Sequence, residues 1–231
     1  MIRRRGSDER ASSAGSADSL PGECVALVHG FLANSLMLAV LSHRLRGRGY
    51  RTDAWGYRNM CCSLLVHADR FAERLRQLDA DPSVGTLHLV THSMGCIIAR
   101  AALERRRPTK LGRFVMLAPP NRGSFVATAA AGTFGRFFRP VVELSTDEHS
   151  LVNTLPAPRG VDIGVIAAGR DVLVTQESTR PDAPHDHVTI PCLHSSLLFR
   201  RDAADLTASF LRDGRFPATV PAGGVHASPR T

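Results

Sequence analysis

Lysine is nearly missing from this sequence: Lys110 is the single one among 29 basic residues, and the rest are arginine. Aromatic residues are also few, with one tryptophan and two tyrosines in 231 residues. A basic stripe interleaved with rings, of the kind that stacks on and neutralises nucleic acid, is therefore not present. The net charge of +8 comes from scattered arginines, with short clusters at Arg3–Arg5, between Arg44 and Arg51, and at Arg105–Arg107. The last two clusters fall where helices should end, and cations there suit the helix dipole. We read the charge as solvated surface and expect no nucleic-acid partner.

No apolar run approaches the roughly 18 residues of a membrane span, so no transmembrane segment is expected. The opening M-I-R-R-R is followed by polar residues and not by the apolar stretch of an export signal. Five cysteines, an odd number, show no regular spacing and so no disulfide framework. Cys24 and Cys96 lie on apolar segments, where free cysteine behaves as a small hydrophobe. These absences point to a reducing compartment, and the expected location is the cytoplasm.

What is present is organised around Leu87–Ala99, which reads L-H-L-V-T-H-S-M-G-C-I-I-A. An apolar run with the mark of a buried strand breaks into T-H-S-M-G and continues as the opening of a helix. A serine at such a strand-to-helix turn, with glycine two residues later, makes a nucleophile elbow. The turn strains the serine backbone and lifts its hydroxyl clear of the sheet. Gly95 is needed because a Cβ there would collide with the strand that the helix packs against. The bland alternative is that Ser93 simply caps a helix.

The rest of the chain repeats the strand–helix rhythm. Residues 1–21 have almost nothing to bury and are expected as a disordered basic tail. Glu23–Val28 is a first strand, ending in H-G-F. Ser35 is expected to cap a helix with Met37, Val40, Leu41 and Leu45 at helical spacing. Tyr50–Trp55 is a second strand, and Leu64, Ala68, Phe71, Leu75 and Leu78 form the apolar face of the next helix. Phe114–Leu117, Val161–Ala167 and Val188–Ile190 are further strands, and Asp202–Leu211 is a closing helix. About six mostly parallel strands with helices on both faces are implied, an α/β domain over 22–215. Residues 124–160 interrupt the rhythm with alanines and with Phe134, Phe137 and Phe138; they form either an apolar cap or part of the core. Residues 216–231 turn to Pro, Ala, Gly and Ser and are expected as a loose tail.

Sites on such sheets lie beyond the carboxyl ends of the strands. Ser93, the H-G-F turn, and the loops after Ala167 and Ile190 all sit at such ends. A serine needs a base, and the base needs an orienting carboxylate. Of the histidines after the elbow, His194 alone follows a strand directly. His149 lies in the 124–160 segment, His226 in the tail, and His185 and His187 precede the last strand. Asp171 follows a strand in G-R-D-V-L-V, whereas Asp182 and Asp186 are expected as turn residues. The H-D-H triplet at His185–His187 is too sparse for a metal site. An oxyanion would be met by the amide of Met94 at the helix start and by that of Phe31, with Gly30 letting the backbone turn close. His29 either bonds within that loop or faces water.

Five motifs stand in one order: V-A-L-V-H-G-F, L-V-T-H-S-M-G, M-L-A-P-P-N-R-G-S, G-R-D-V-L-V and I-P-C-L-H-S. Together they resemble the bacterial lipase and esterase branch of the α/β-hydrolases, from about Val25 to Leu211. The resemblance implies a compact α/β-hydrolase fold and a triad on Ser93, Asp171 and His194. It also implies oxyanion donors at Phe31 and Met94, with His29, Gly30 and Gly95 as structural support. A small-molecule ester or lipid would be the substrate, and no metal or organic cofactor is called for. Two positions depart from the pattern: Thr91 stands for the first glycine of the elbow, and Val172 for a glycine after the acid. An acyltransferase, or a binding protein that keeps the fold without catalysis, are the alternatives to an esterase.

Overall fold

A parallel strand covered by helices on both sides has no solvated face, so its sequence runs apolar without alternation. That is the character of β1 (Gly22–Val28), β3 (Val84–His92), β4 (Leu111–Leu117) and β5 (Ile163–Ala168), and all of β5 is buried. The structure, a computed structural model, describes residues 22–31, 33–58, 62–124, 127, 142–218 and 226–228. In it these strands join β2 (Arg51–Trp55) and β6 (Asp186–Ile190) in one sheet of order β2-β1-β3-β4-β5-β6, all parallel.

Alternate residues of each strand serve opposite faces. Cys24, Ala26 and Val28 pack with α2 (Leu64–Ala80) and α3 (Met94–Arg105). Val25 and Leu27 pack with α1 (Ala39–Arg46) and α5 (Arg201–Asp213) on the other side. A short α4 (Leu151–Thr154) precedes β5. The expected apolar stripe of α2 is buried from Leu64 to Leu78, and Ser63 caps it by accepting the Leu65 amide at 3.2 Å.

Three local readings are corrected. The cap before α1 is Asn34, not Ser35: a 3₁₀ turn over Ser35–Leu38 leads into the helix, and Asn34 Oδ1 accepts the Leu36 amide at 3.0 Å. His187 lies on β6 rather than ahead of it. Part of the stretch read as a loose tail is attached to the domain. Phe216 is buried with its ring 5.0 Å from Phe210, and β7 (His226–Ser228) adds a short antiparallel strand on the outer edge of β6. Three paired residues among prolines and glycines leave too little pattern to read.

The segment 1–21 lies outside the described residues, as do Phe134, Phe137 and Phe138 on which the cap reading rests. Several clustered arginines meet the protein's own carboxylates: Arg48 pairs with Asp205, Arg105 with Asp69, and Arg51 with Asp81 at 2.8 Å. Among the described residues, no helix is long and apolar enough to cross a membrane.

The sheet order also fixes where a site can form. From β1 the chain moves outward to β2, then returns to lay β3 on the other side of β1. The crevice beyond the carboxyl ends of β1 and β3 is thus a topological switch point, where ligands bind in sheets of this kind.

Candidate active site

At that crevice β1 runs into His29, Gly30 and Phe31, and β3 into His92 and Ser93. Ser93 has φ 54° and ψ −127°, and only Ala118 shares a positive φ among the described non-glycine residues. Such a conformation costs on the order of 1–3 kcal/mol and persists only where the surroundings impose it. Here Ser93 N–H donates to Leu117 O at 2.9 Å, and Ser93 O accepts the Cys96 amide at 2.9 Å. The turn is gripped by β4 on one side and by α3 on the other.

Two glycines allow the approach. A Cβ at Gly95 would stand 2.6 Å from His29 O and 2.8 Å from Val28 O, both backbone atoms that cannot step aside. A Cβ at Gly30 would stand 2.8 Å from the Ser93 Cβ. Thr91, where the elbow pattern has its first glycine, is buried, and its hydroxyl donates to Cys96 Sγ at 3.0 Å. The extra atoms are absorbed between strand and helix.

Asp171 and His194 meet. His194 Nδ1 donates to Asp171 Oδ2 at 2.6 Å, with the His194 side chain 9% and the Asp171 side chain 2% exposed. The other oxygen, Oδ1, accepts the amides of Leu173 at 2.8 Å and Val174 at 3.0 Å, which folds the loop around the carboxylate. Burial works against the ionised form of Asp171. The His194 bond and charge and the two amides outweigh it and hold the pKa below the ordinary carboxylate value. Val172 is 80% exposed, so the side chain that stands in place of glycine is accommodated at the surface.

His29 does not face water. It is fully buried, with Nδ1 on Gly30 O at 2.9 Å and Nε2 accepting the Tyr57 amide at 3.3 Å. Met94 opens α3, so its N–H is one of those a helix leaves without an intrahelical partner.

Ser93, His194 and Phe31 line one cavity of about 390 Å³. Its remaining wall is largely apolar, from Ala33, Met37, Leu144, Leu173 and Val174. A larger depression of about 630 Å³ lies at the amino ends of β5 and β6; it is lined by Asp182, His185 and Asp186 but by none of Ser93, Asp171, His194, Phe31 and Met94. The other candidates stand apart. His149 is an exposed neighbour of Asp147 and Glu148. His185 Nδ1 bonds Ala183 O at 2.7 Å, and His187 Nε2 shares a 2.9 Å bond with Thr179 Oγ1. His226 is on β7, whose side chains lie outside the described set. Asp182 pairs with Arg122 at 2.9 Å, and Asp186 accepts the Phe216 amide at 3.1 Å.

Two residues at the site escaped the sequence reading. His92 is buried, with its ring 4.8 Å from that of His194 and Nε2 3.3 Å from His194 O. Burial pushes its pKa down to about 3, so it is neutral, and donation from Nε2 to that carbonyl leaves Nδ1 as an acceptor beside Gly30. Tyr57, just past β2, stacks on His29 with ring centroids 4.2 Å apart. The available signal was a polar or aromatic residue at the carboxyl end of a strand, where apolar burial no longer requires one type.

No family model matches the sequence, and no curated protein sequence does. Solved structures do match the fold. The mature lipase BlEst2 of Bacillus licheniformis superposes with a TM-score of 0.63 at 15% identity, over 84% of this chain and 92% of that one. Lipase B of Aspergillus fumigatus gives 0.69 at 13% identity, over 87% of this chain but only 55% of its own length. A thermophilic esterase from Thermogutta terrifontis gives 0.61 at 17% identity, over 84% and 90%. At such identities the likeness is one of architecture, and by architecture this chain has the α/β-hydrolase fold.

Proposed function

We propose that this chain is a serine hydrolase acting on carboxylic esters with an apolar acyl group. The observation that carries the reading is Ser93 in its strained turn, on the wall of the same cavity as the Asp171-bonded His194. A serine hydroxyl is a weak nucleophile until a base takes its proton. With Nδ1 of His194 engaged by Asp171, Nε2 is the nitrogen free to act as that base. Ser93 Oγ attacks the ester carbonyl, and the amides of Phe31 and Met94 hold the oxyanion that forms. His194 returns the proton to the leaving alcohol. Water, activated by the same imidazole, then releases the acid from Ser93. Asp171 keeps the ring oriented and stabilises the imidazolium at each passage.

The wall chemistry supports the choice of acyl group. Among the described lining residues there is no lysine, arginine, aspartate or glutamate, so a charged acyl chain would lose hydration without gaining a partner. The likeness in fold to two lipases and an esterase supports esters as the substrates.

The test is a panel of p-nitrophenyl esters of increasing chain length with wild-type protein and Ser93→Ala. Turnover in the wild type and its abolition in a folded Ser93→Ala variant are expected, with labelling of Ser93 by a fluorophosphonate. Undiminished turnover in the variant removes the assignment.

A further inference from the structure

The Phe31 amide follows β1 in a turn and belongs to neither helix nor sheet. The residues just before it are nonetheless fixed, and largely by one side chain. Tyr57 donates its hydroxyl to His29 O at 2.8 Å and its backbone N–H to His29 Nε2 at 3.3 Å. Its ring lies nearly flat on the imidazole, with 7° between the planes. Because Nε2 accepts from an amide, the His29 proton sits on Nδ1, which donates it to Gly30 O at 2.9 Å. Burial lowers the pKa of His29 and raises that of the Tyr57 hydroxyl, so both stay neutral and the bonds keep this polarity.

The carbonyl held by Tyr57 has a second neighbour. His29 O is the atom that a Cβ at Gly95 would meet at 2.6 Å, so it is confined between the Tyr57 hydroxyl and the first turn of α3. Moving it shifts the end of β1 against the helix that begins at Met94. We infer that Tyr57 is a positioning residue of the oxyanion site, fixing the Phe31 amide relative to the Met94 amide through its hold on His29. This inference rests on the ester-hydrolase reading above and adds a residue to that site. Tyr57 is not among the residues of the substrate cavity. It lines a separate cleft with Trp55, Asn34 and Arg70, so its influence falls on rate and not on ground-state binding.

The experiment compares wild type, Tyr57→Phe and Tyr57→Leu, as full chains, on one p-nitrophenyl ester. Tyr57→Phe keeps the stack and loses only the grip on the carbonyl. Outright removal of an oxyanion donor costs about 10²–10³ in rate; displacement should cost a part of that, so kcat falls about tenfold with KM within about twofold. Tyr57→Leu also loses the stack and falls further, toward about 10². A trifluoromethyl ketone, which becomes an oxyanion when serine adds to it, should lose affinity by the same factor as kcat. Tyr50→Phe makes the same chemical change on the opposite face of the sheet, where the Tyr50 hydroxyl reaches Ala208 O, and should leave kcat unchanged. Wild-type kcat and ketone affinity in Tyr57→Phe, or a loss confined to KM, overturns the role. If Tyr57→Leu does not fold, Tyr57→Phe still decides. A wild-type protein that neither turns over esters nor labels at Ser93 overturns the hydrolase reading and this role with it. An active wild type with an indifferent Tyr57→Phe overturns the role alone.

Discussion

Asp171 divides its two oxygens between two tasks: Oδ2 accepts a hydrogen bond from His194 Nδ1 at 2.6 Å, and Oδ1 closes its own loop by accepting the Leu173 and Val174 amides. Asparagine at 171 could keep the loop through its carbonyl, but its amide group would then face the Nδ1 proton. The imidazole would be driven to the other tautomer, with no lone pair on Nε2 for Ser93. We predict that Asp171→Asn lowers kcat for p-nitrophenyl esters by about 10³–10⁴ while the protein stays folded. A kcat close to wild type would show that the base at this site is oriented by another group.

Gly95 is predicted to be intolerant of the smallest change. Its missing Cβ faces two carbonyl oxygens of the β1 end and one methyl of Val28, none of which is the far end of a flexible side chain. Gly95→Ala would gain helix propensity of about 1 kcal/mol on an open surface. Here it must push α3 from β1, and overpacking of this kind costs about 1–3 kcal/mol. The Phe31 and Met94 amides sit on the two sides of that contact, so kcat should fall more than stability does. Denaturant unfolding together with kcat checks both halves; an alanine variant as stable and active as wild type would refute the packing account.

Thr91 is predicted to be replaceable in shape but not in volume. Thr91→Val keeps the branch and loses only a bond to a weak sulfur acceptor, so stability should change by less than about 1 kcal/mol with activity retained. Thr91→Gly restores the commoner elbow pattern yet leaves a void beside Cys96 and a flexible residue in a central strand. A loss of about 1–3 kcal/mol in denaturant unfolding is expected. A Thr91→Gly protein more stable than wild type would mean that the threonine is strained where it stands.

The strands were legible because parallel strands buried on both faces are largely apolar, and Leu87, Leu89 and Val90 or Val165–Ala168 fit little else. Strand order was not legible, since no residue in β1 states that β2 and β3 flank it on opposite sides. The sequence placed Asp171 and His194 each after a strand, at the same rim of the sheet; that β5 and β6 are neighbours, which brings the two together, comes from the structure. His92 and Tyr57 were missed for a related reason. Their roles come from neighbours far along the chain, and a histidine or tyrosine at a strand end fits equally well as core or surface. The cap falls on Asn34 and not on Ser35 because a 3₁₀ turn shifts it by a residue, which periodicity does not register.

Mild acid is predicted to destabilise the fold through histidines that it holds neutral. His92, His187, His29, His67 and His88 all have lowered pKa values with burial as the main cause, His92 to about 3 and His187 to about 4. In the unfolded chain each takes a proton near pH 6.5. Between that value and the folded one the unfolded state binds more protons, so stability rises with pH across this window and falls on acidification through it. Asp171 works in the same direction but lower. Its depressed pKa means that its contribution begins to fade only as the pH drops below the ordinary aspartate value of 3.8. Loss of stability between pH 7.5 and 5.0 therefore belongs to the histidines. His187 lies away from the cavity, on β6 against Thr179, which makes it the clean test. Urea unfolding of wild type and His187→Gln at the two pH values should show the pH-dependent loss reduced by about 2 kcal/mol in the variant, since 1.5 pH units below pH 6.5 at about 1.36 kcal/mol each is the share of one such histidine. An identical loss in both proteins would mean that His187 takes up its proton without unfolding.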